Sequence, residues 1–263
     1  MVKNLQIFET GKLYGNMNTN KAFYPENFSA EERAKDFLER RIILGNDKGF
    51  DGRKIFMADQ CDKTGSYHIL TEEDIEKAPN GWSDISQDIL IITNKVPGIV
   101  AAHPVADCPV IIVSDSANKI AALCHCSAEL IDKKMPMATV DALFRAAKEL
   151  NINLRDEELK AYISSCVGPN WTYDCYPKWA KDEKVWKKSI TDENGIYKIN
   201  IRRAVSMQLA ERYIKHLCLD LHNTDTDSNY YSNYMSTIDK TKAGRNLVGA
   251  FYPDENYQKT KSK

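Results

Sequence analysis

The 263-residue sequence has almost no net charge, no long apolar run, no internal repeat and no regular cysteine framework. Each absence excludes a class of function. The 36 Lys and Arg against 37 Asp and Glu leave a formal charge of −1, so no global field gathers nucleic acid or an anionic membrane, and partners are expected to be small molecules. The longest apolar runs, near Ile89 to Ile92 and Val110 to Val113, are strand-sized, far short of the roughly 18–20 residues that span a bilayer. Lys3 and Glu9 break up the apolar residues at the N-terminus, unlike a signal peptide, and a cytoplasmic protein is expected. Seven cysteines, an odd number, suit a reducing compartment in which thiols pack, bind metal or react.

What is present is an ordinary globular composition, 43% hydrophobic and 28% charged. It predicts a single domain over 1–263 with a frayed tail from about residue 255. Ser29 and Glu32 have capping-box spacing, and Ala34, Phe37, Leu38 and Arg41 continue one face of a helix from Ala30 to about Ile43. Gly45, Gly49 and Gly52 then predict a turn before a strand at Lys54 to Ala58, with a short helix over Ile69 to Ala78. Ile89 to Thr93, Ile99 to His103, Cys108 to Val113, Lys119 to Cys126 and Lys160 to Val167 read as strands. Helices follow Pro136, through Val140, Leu143 and Ala147, and Ile201, through Val205, Leu209, Tyr213 and Leu217. Strands and helices intermingle, giving an α+β (mixed α/β) fold: a mixed sheet core flanked by helices.

The segment Asp107 to Cys126 carries most chemistry. Its two apolar runs are joined by Ser114 to Asn118, which predicts an antiparallel hairpin. Pairing Val113 with Lys119 puts Cys108 opposite Cys124, and a one-residue shift or bulge puts Cys108 opposite His125. Opposed Cβ atoms lie roughly 4.5–5.5 Å apart, close enough for a thiolate and an imidazole to share a metal ion or a proton. Alternation sends Cys124 and Cys126 to one face and His125 to the other. Elsewhere the plain readings come first: Asp62 as a turn residue, His68 and His103 as loop or core histidines, and His216 and His222 near a helix end. Ser232, Tyr230, Tyr231, Tyr234 and Arg245 sit near Gly244, where hydroxyls, rings and a cation could hold a base, ribose or phosphate.

Ala106-Asp107-Cys108, His125, Ala138-Thr139-Val140, Gly168-Pro169, Ser232 and Gly244-Arg245 resemble, in order and spacing from about Ser29 to Tyr252, the YfiH-like laccase-domain proteins. These are also called multicopper polyphenol oxidoreductases and are now regarded as purine nucleoside phosphorylases. The resemblance implies one zinc ion, or copper in the older interpretation, on Cys108 and His125, with Ser232 and Arg245 helping to hold purine nucleoside and phosphate. Adenosine deamination is implied as a related activity. Two departures stand out. The family's Gln-Val-His is Gln60-Cys61-Asp62 here, leaving Asp62, His68 or His103 as third ligand, or no metal at all. The family's His-Ala-Gly-Trp-Arg-Gly is His125-Cys126-Ser127-Ala128-Glu129-Leu130, so an aromatic ring and a cation are lost and Glu129 would repel phosphate. Alternatives are therefore a catalytically degenerate nucleoside-binding protein and a metal-free hydrolase using Cys108 as nucleophile and His125 as base.

Overall fold

The computed structural model describes residues 4–59, 64–155, 158–168, 171–240 and 243–257. Gln60, Cys61, Asp62, Pro169 and the tail from Gln258 lie outside the described residues. In chain order the strands are β1 (Gln6–Glu9), β2 (Ile55–Asp59), β3 (Tyr67–Ile69), β4 (Trp82–Ser86), β5 (Ile89–Thr93), β6 (Val100–Val105), β7 (Val110–Asp115), β8 (Ile120–His125), β9 (Leu159–Ile163), β10 (Thr172–Tyr173), β11 (Ile190–Glu193), β12 (Ile196–Ile199), β13 (His216–Leu219) and β14 (Asn246–Phe251). The helices are α1 (Ala30–Lys48), α2 (Glu72–Lys77), α3 (Ala128–Asp132), α4 (Met135–Glu149), α5 (Glu183–Trp186), α6 (Ile201–Glu211) and α7 (Asn233–Ile238).

There are two large mixed sheets, β1-β14-β6-β2-β4 and β13-β9-β7-β8-β5-β3, and a separate small sheet, β10-β12-β11. Period-two patterning sorts each strand between layers. Ala101 and Val105 of β6, Val248 of β14, Ile112 of β7 and Leu123 of β8 form one buried cluster between the large sheets. The opposite face of the five-stranded sheet, including Val100, Ala102 and Met57, packs on Phe37 and Leu44 of α1. The opposite face of the six-stranded sheet, with Ala122, Cys124 and Ile111, packs on Val140 and Leu143 of α4 and Val205 of α6. The expected mixed sheet core flanked by helices is therefore present, as helix, sheet, sheet and helix layers.

Several sequence expectations are corrected. The capping box of Ser29 and Glu32 forms, but α1 runs on to Lys48; at Gly45 a Cβ would lie 2.5 Å from Gly52 N and Phe50 O, so glycine there lets the following turn pack directly on the helix. Ile69 ends strand β3 instead of opening a helix. The strand expected over Lys160 to Val167 stops at Ile163. Helix α6 ends at Glu211, Tyr213 is exposed with φ +58°, and Leu217 belongs to β13, so the helical spacing of those two residues is coincidental. His216 is accordingly a strand residue, not a helix end.

The hairpin β7–β8 exists, but in another register. Val110 faces His125 and Ser114 faces Ala121, three places from the pairing of Val113 with Lys119, and Cys108 opposes neither Cys124 nor His125. The cause lies at the tip. Asp115 is buried in the strand because its carboxylate accepts the N–H groups of Lys119 (2.7 Å) and Ile120 (3.0 Å). With that polar group satisfied, the ladder extends beyond the apolar run.

Candidate functional site

Cys108 lies in an irregular break between β6 and β7, where Pro109 O accepts the Cys126 N–H at 2.9 Å. The break is set by Asp107, whose φ is +83°, a conformation that L-residues other than Asn, Asp and Gly rarely adopt. Asp107 is held there on three sides. Its carboxylate accepts the Thr224 hydroxyl and the Tyr234 N–H, each at 2.6 Å, and its carbonyl accepts the Val167 N–H at 2.8 Å. These bonds bring α7 and the segments after β9 and β13 against the Cys108 backbone. Burial, followed by the Asp107 charge, pushes the Cys108 thiol up to about 12, with Glu129 adding to the effect and Arg245 opposing it. At neutral pH this is a thiol, not an activated nucleophile.

His125 ends β8 and is 5% exposed. Burial, then His103 and Arg245, lower its pKa to about 3, so the ring is neutral, and its Nδ1 is buried without a partner. His103 on β6 faces the same layer between the sheets, with ring centroids 6.4 Å apart. Burial lowers its pKa to about 4 against a bond to the Leu123 backbone. Since Nε2 is the buried nitrogen without a partner, Nδ1 makes that bond. Nε2 therefore carries a lone pair, the tautomer of a metal-ligating imidazole whose other nitrogen donates to a carbonyl. Two neutral buried imidazoles with open nitrogens are a donor set of the right chemistry for a zinc or copper ion. Among the described residues, no group of three His, Cys, Asp or Glu side chains is close enough to hold an ion.

Arg245 immediately precedes β14. Its guanidinium lies 4.4 Å from the Phe23 ring centroid, and its Nη1 donates to Gly244 O at 2.9 Å. Gly244 is required because a Cβ would meet the Tyr231 ring at 2.4 Å. Burial lowers the Arg245 pKa, opposed by Cys108 and Asp107. It is thus the shared cationic neighbour of Cys108 and His125.

Not every expected site residue converges here. Asp62 lies outside the described residues; β2, which ends three residues earlier, runs parallel to β6. His68 bonds Asp74 at 2.9 Å and stacks on Phe56. Ser232 caps α7 by accepting the Met235 N–H and lines a different cleft, with Asp225 and Asp239. His222 pairs with Asp220 at 2.6 Å.

Cys108 opens instead into a cleft of about 450 Å³, within the roughly 300–1,000 Å³ range of small-molecule sites. Glu129, Tyr234, Trp171, Tyr173 and Trp179 share its wall. The three rings of Trp171, Tyr173 and Trp179 escaped sequence reasoning, although crowding of aromatics between 171 and 179 was a readable signal.

No curated protein matches the chain. Solved structures do. The chain is similar to a Bacillus licheniformis hypothetical protein, YfiH, at a TM-score of 0.73 and 16% identity, covering 94% of this chain and 92% of that one. It is similar to YlmD from Geobacillus stearothermophilus at 0.72 and 15%, covering 96% and 93%. A Neisseria meningitidis protein gives 0.66 and 13%, covering 91% and 86%. At such identities these likenesses establish the fold alone. The family model described as multi-copper polyphenol oxidoreductase laccase matches residues 19–251, nearly the whole chain, and the chain belongs to that family.

Proposed function

We propose that this chain is a metal-dependent enzyme of purine nucleosides, carrying out phosphorolysis with adenosine deamination as a related activity. The observation that supports it most is the pair of buried nitrogens without partners, His125 Nδ1 and His103 Nε2, beside the Arg245 guanidinium and the Cys108 cleft. Burying such groups unsatisfied costs about 1–3 kcal/mol each, a cost that a bound ligand removes. Cys108 and His125 would hold one zinc or copper ion, with Asp62 as the third ligand. When bound, such an ion supplies Lewis-acid polarisation of an attacking oxygen.

The remaining chemistry belongs to the chain. Arg245 holds the attacking phosphate by charge, and its stacking on Phe23 fixes the guanidinium plane. In phosphorolysis the C1′–N9 bond breaks, a C1′–O bond to phosphate forms, and the departing base takes up a proton. The apolar layer around His125 keeps its imidazole neutral and able to ligate. A metal-free Cys108 hydrolase is disfavoured, since burial pushes the Cys108 thiol up to about 12 and lowers His125 to about 3, which leaves no driving force for proton transfer from one to the other.

The test incubates purified protein with inosine or adenosine, with and without phosphate, before and after chelation. Phosphate-dependent release of free base and ribose 1-phosphate that chelation abolishes is the expected result. Absence of free base, ribose 1-phosphate and deaminated nucleoside under all conditions overturns the reading.

A further inference from the structure

The cleft beside Cys108 has an uneven chemical lining. Among the described residues it contains two carboxylates, Asp107 and Glu129, and no Lys or Arg side chain. Both Asp107 oxygens are already bonded within the protein. Glu129 is exposed, and among the described residues no hydrogen bond or ion pair engages its carboxylate. Its charge acts on Cys108, so it stands over the same cleft.

The same cleft is lined by a prebuilt aromatic shelf. Trp171 and Trp179 stack with centroids 5.6 Å apart and an interplanar angle of 12°, and Tyr173 lies 5.5 and 6.1 Å from them. All three remain half-buried. The shelf is anchored from behind. Trp186 is fully buried, packs edge-on against Trp179 at 4.9 Å, and donates its indole N–H to Asp132, which also accepts the N–H groups of Lys181 and Asp182. Trp171 O accepts the Ile199 N–H, and β10 pairs with β12. Rings kept rigid and partly solvated in a cleft gain stability when a flat ligand covers them, with little ordering cost.

A carboxylate only accepts hydrogen bonds. The matching edge of a flat heterocycle is one with adjacent donors. Guanine offers N1–H and an exocyclic N2–H, hypoxanthine offers N1–H, and adenine places an acceptor at N1 that a carboxylate repels. We propose that Trp171, Trp179 and Glu129 form a base-reading subsite that stacks the purine ring and selects 6-oxopurine nucleosides, guanosine foremost. This rests on the nucleoside reading above and deepens it.

Binding is measured by calorimetry on the full chain, without phosphate, using guanosine, inosine and adenosine. Guanosine should bind about tenfold tighter than adenosine, the low end of what one bidentate pair discriminates. Glu129→Gln should erase most of that ratio. Trp171→Leu should weaken all three nucleosides by about tenfold and alike, because stacking is blind to the edge; Trp171→Phe, which keeps a ring, should recover most of the loss. An unchanged guanosine-to-adenosine ratio in Glu129→Gln, or adenosine bound at least as tightly as guanosine by the native chain, overturns the subsite while leaving the nucleoside reading intact. Failure of all three nucleosides to bind overturns both.

Discussion

At the scale of the residue, Asp107 does more than its side-chain chemistry suggests. It holds φ +83°, which costs a residue without local hydrogen bonding roughly 1–2 kcal/mol, and its carboxylate anchors Thr224 and Tyr234. Asp107→Ala loses both bonds and keeps the strain, a cost of about 3 kcal/mol or more. Asp107→Gly loses the bonds but relieves the strain, and Asp107→Asn keeps one acceptor and tolerates the left-handed region. Urea unfolding should therefore rank the cost Asn, then Gly, then Ala. Equal cost for Gly and Ala would show that no strain is stored before Cys108. The sequence made Ala106-Asp107-Cys108 visible as a motif, but most Asp residues have negative φ even though Asp tolerates positive φ better than most, so its role in turning the chain was hidden.

At the scale of the element, existence was legible and register was not. Apolar runs marked β5, β7 and β8, and the cap of Ser29 marked α1. Polarity misled at the hairpin tip because Ser114 and Asp115 are buried, Asp115 with its carboxylate satisfied by the Lys119 and Ile120 N–H groups, a pairing that composition cannot show. Likewise His125 was identifiable, while the approach of His103 depends on two sheets meeting face to face. A second buried polar tie crosses those sheets. Glu9 at the end of β1 accepts the Tyr162 hydroxyl and both the N–H and hydroxyl of Ser165, beyond β9. Burial raises its pKa above the ordinary carboxylate value, only partly offset by those bonds, and Asp220 adds to the rise. The folded state thus holds its proton to higher pH than the unfolded state. The stability contribution is full below about 4.5, the unfolded value, and is lost as pH rises through the folded pKa. Comparing native chain with Glu9→Gln by denaturant unfolding, the native chain should lose ground steadily from about pH 4.5 towards neutrality. A difference that grows with pH would contradict the raised pKa.

At the scale of the whole molecule, the candidate metal centre lies where the two large sheets meet. His125 comes from the six-stranded sheet and His103 from β6 of the five-stranded sheet, Arg245 immediately precedes β14, and Cys108 lies in the link between β6 and β7 that passes from one sheet to the other. An ion held by groups from both sheets binds only when the layers are assembled, so it favours the folded state by mass action. At a free concentration a hundredfold above Kd the gain is about 2.7 kcal/mol. For a chain of this size, at roughly 2–4 °C per kcal/mol, the melting temperature should rise by roughly 5–10 °C. Scanning calorimetry of chelated protein with and without added zinc measures the rise, and His125→Gln should abolish it. His103→Gln should leave most of it intact, because no trio of described side chains that includes His103 is close enough to hold an ion. A full rise in His125→Gln would locate the ion away from the sheet junction and remove the link between this fold and metal chemistry.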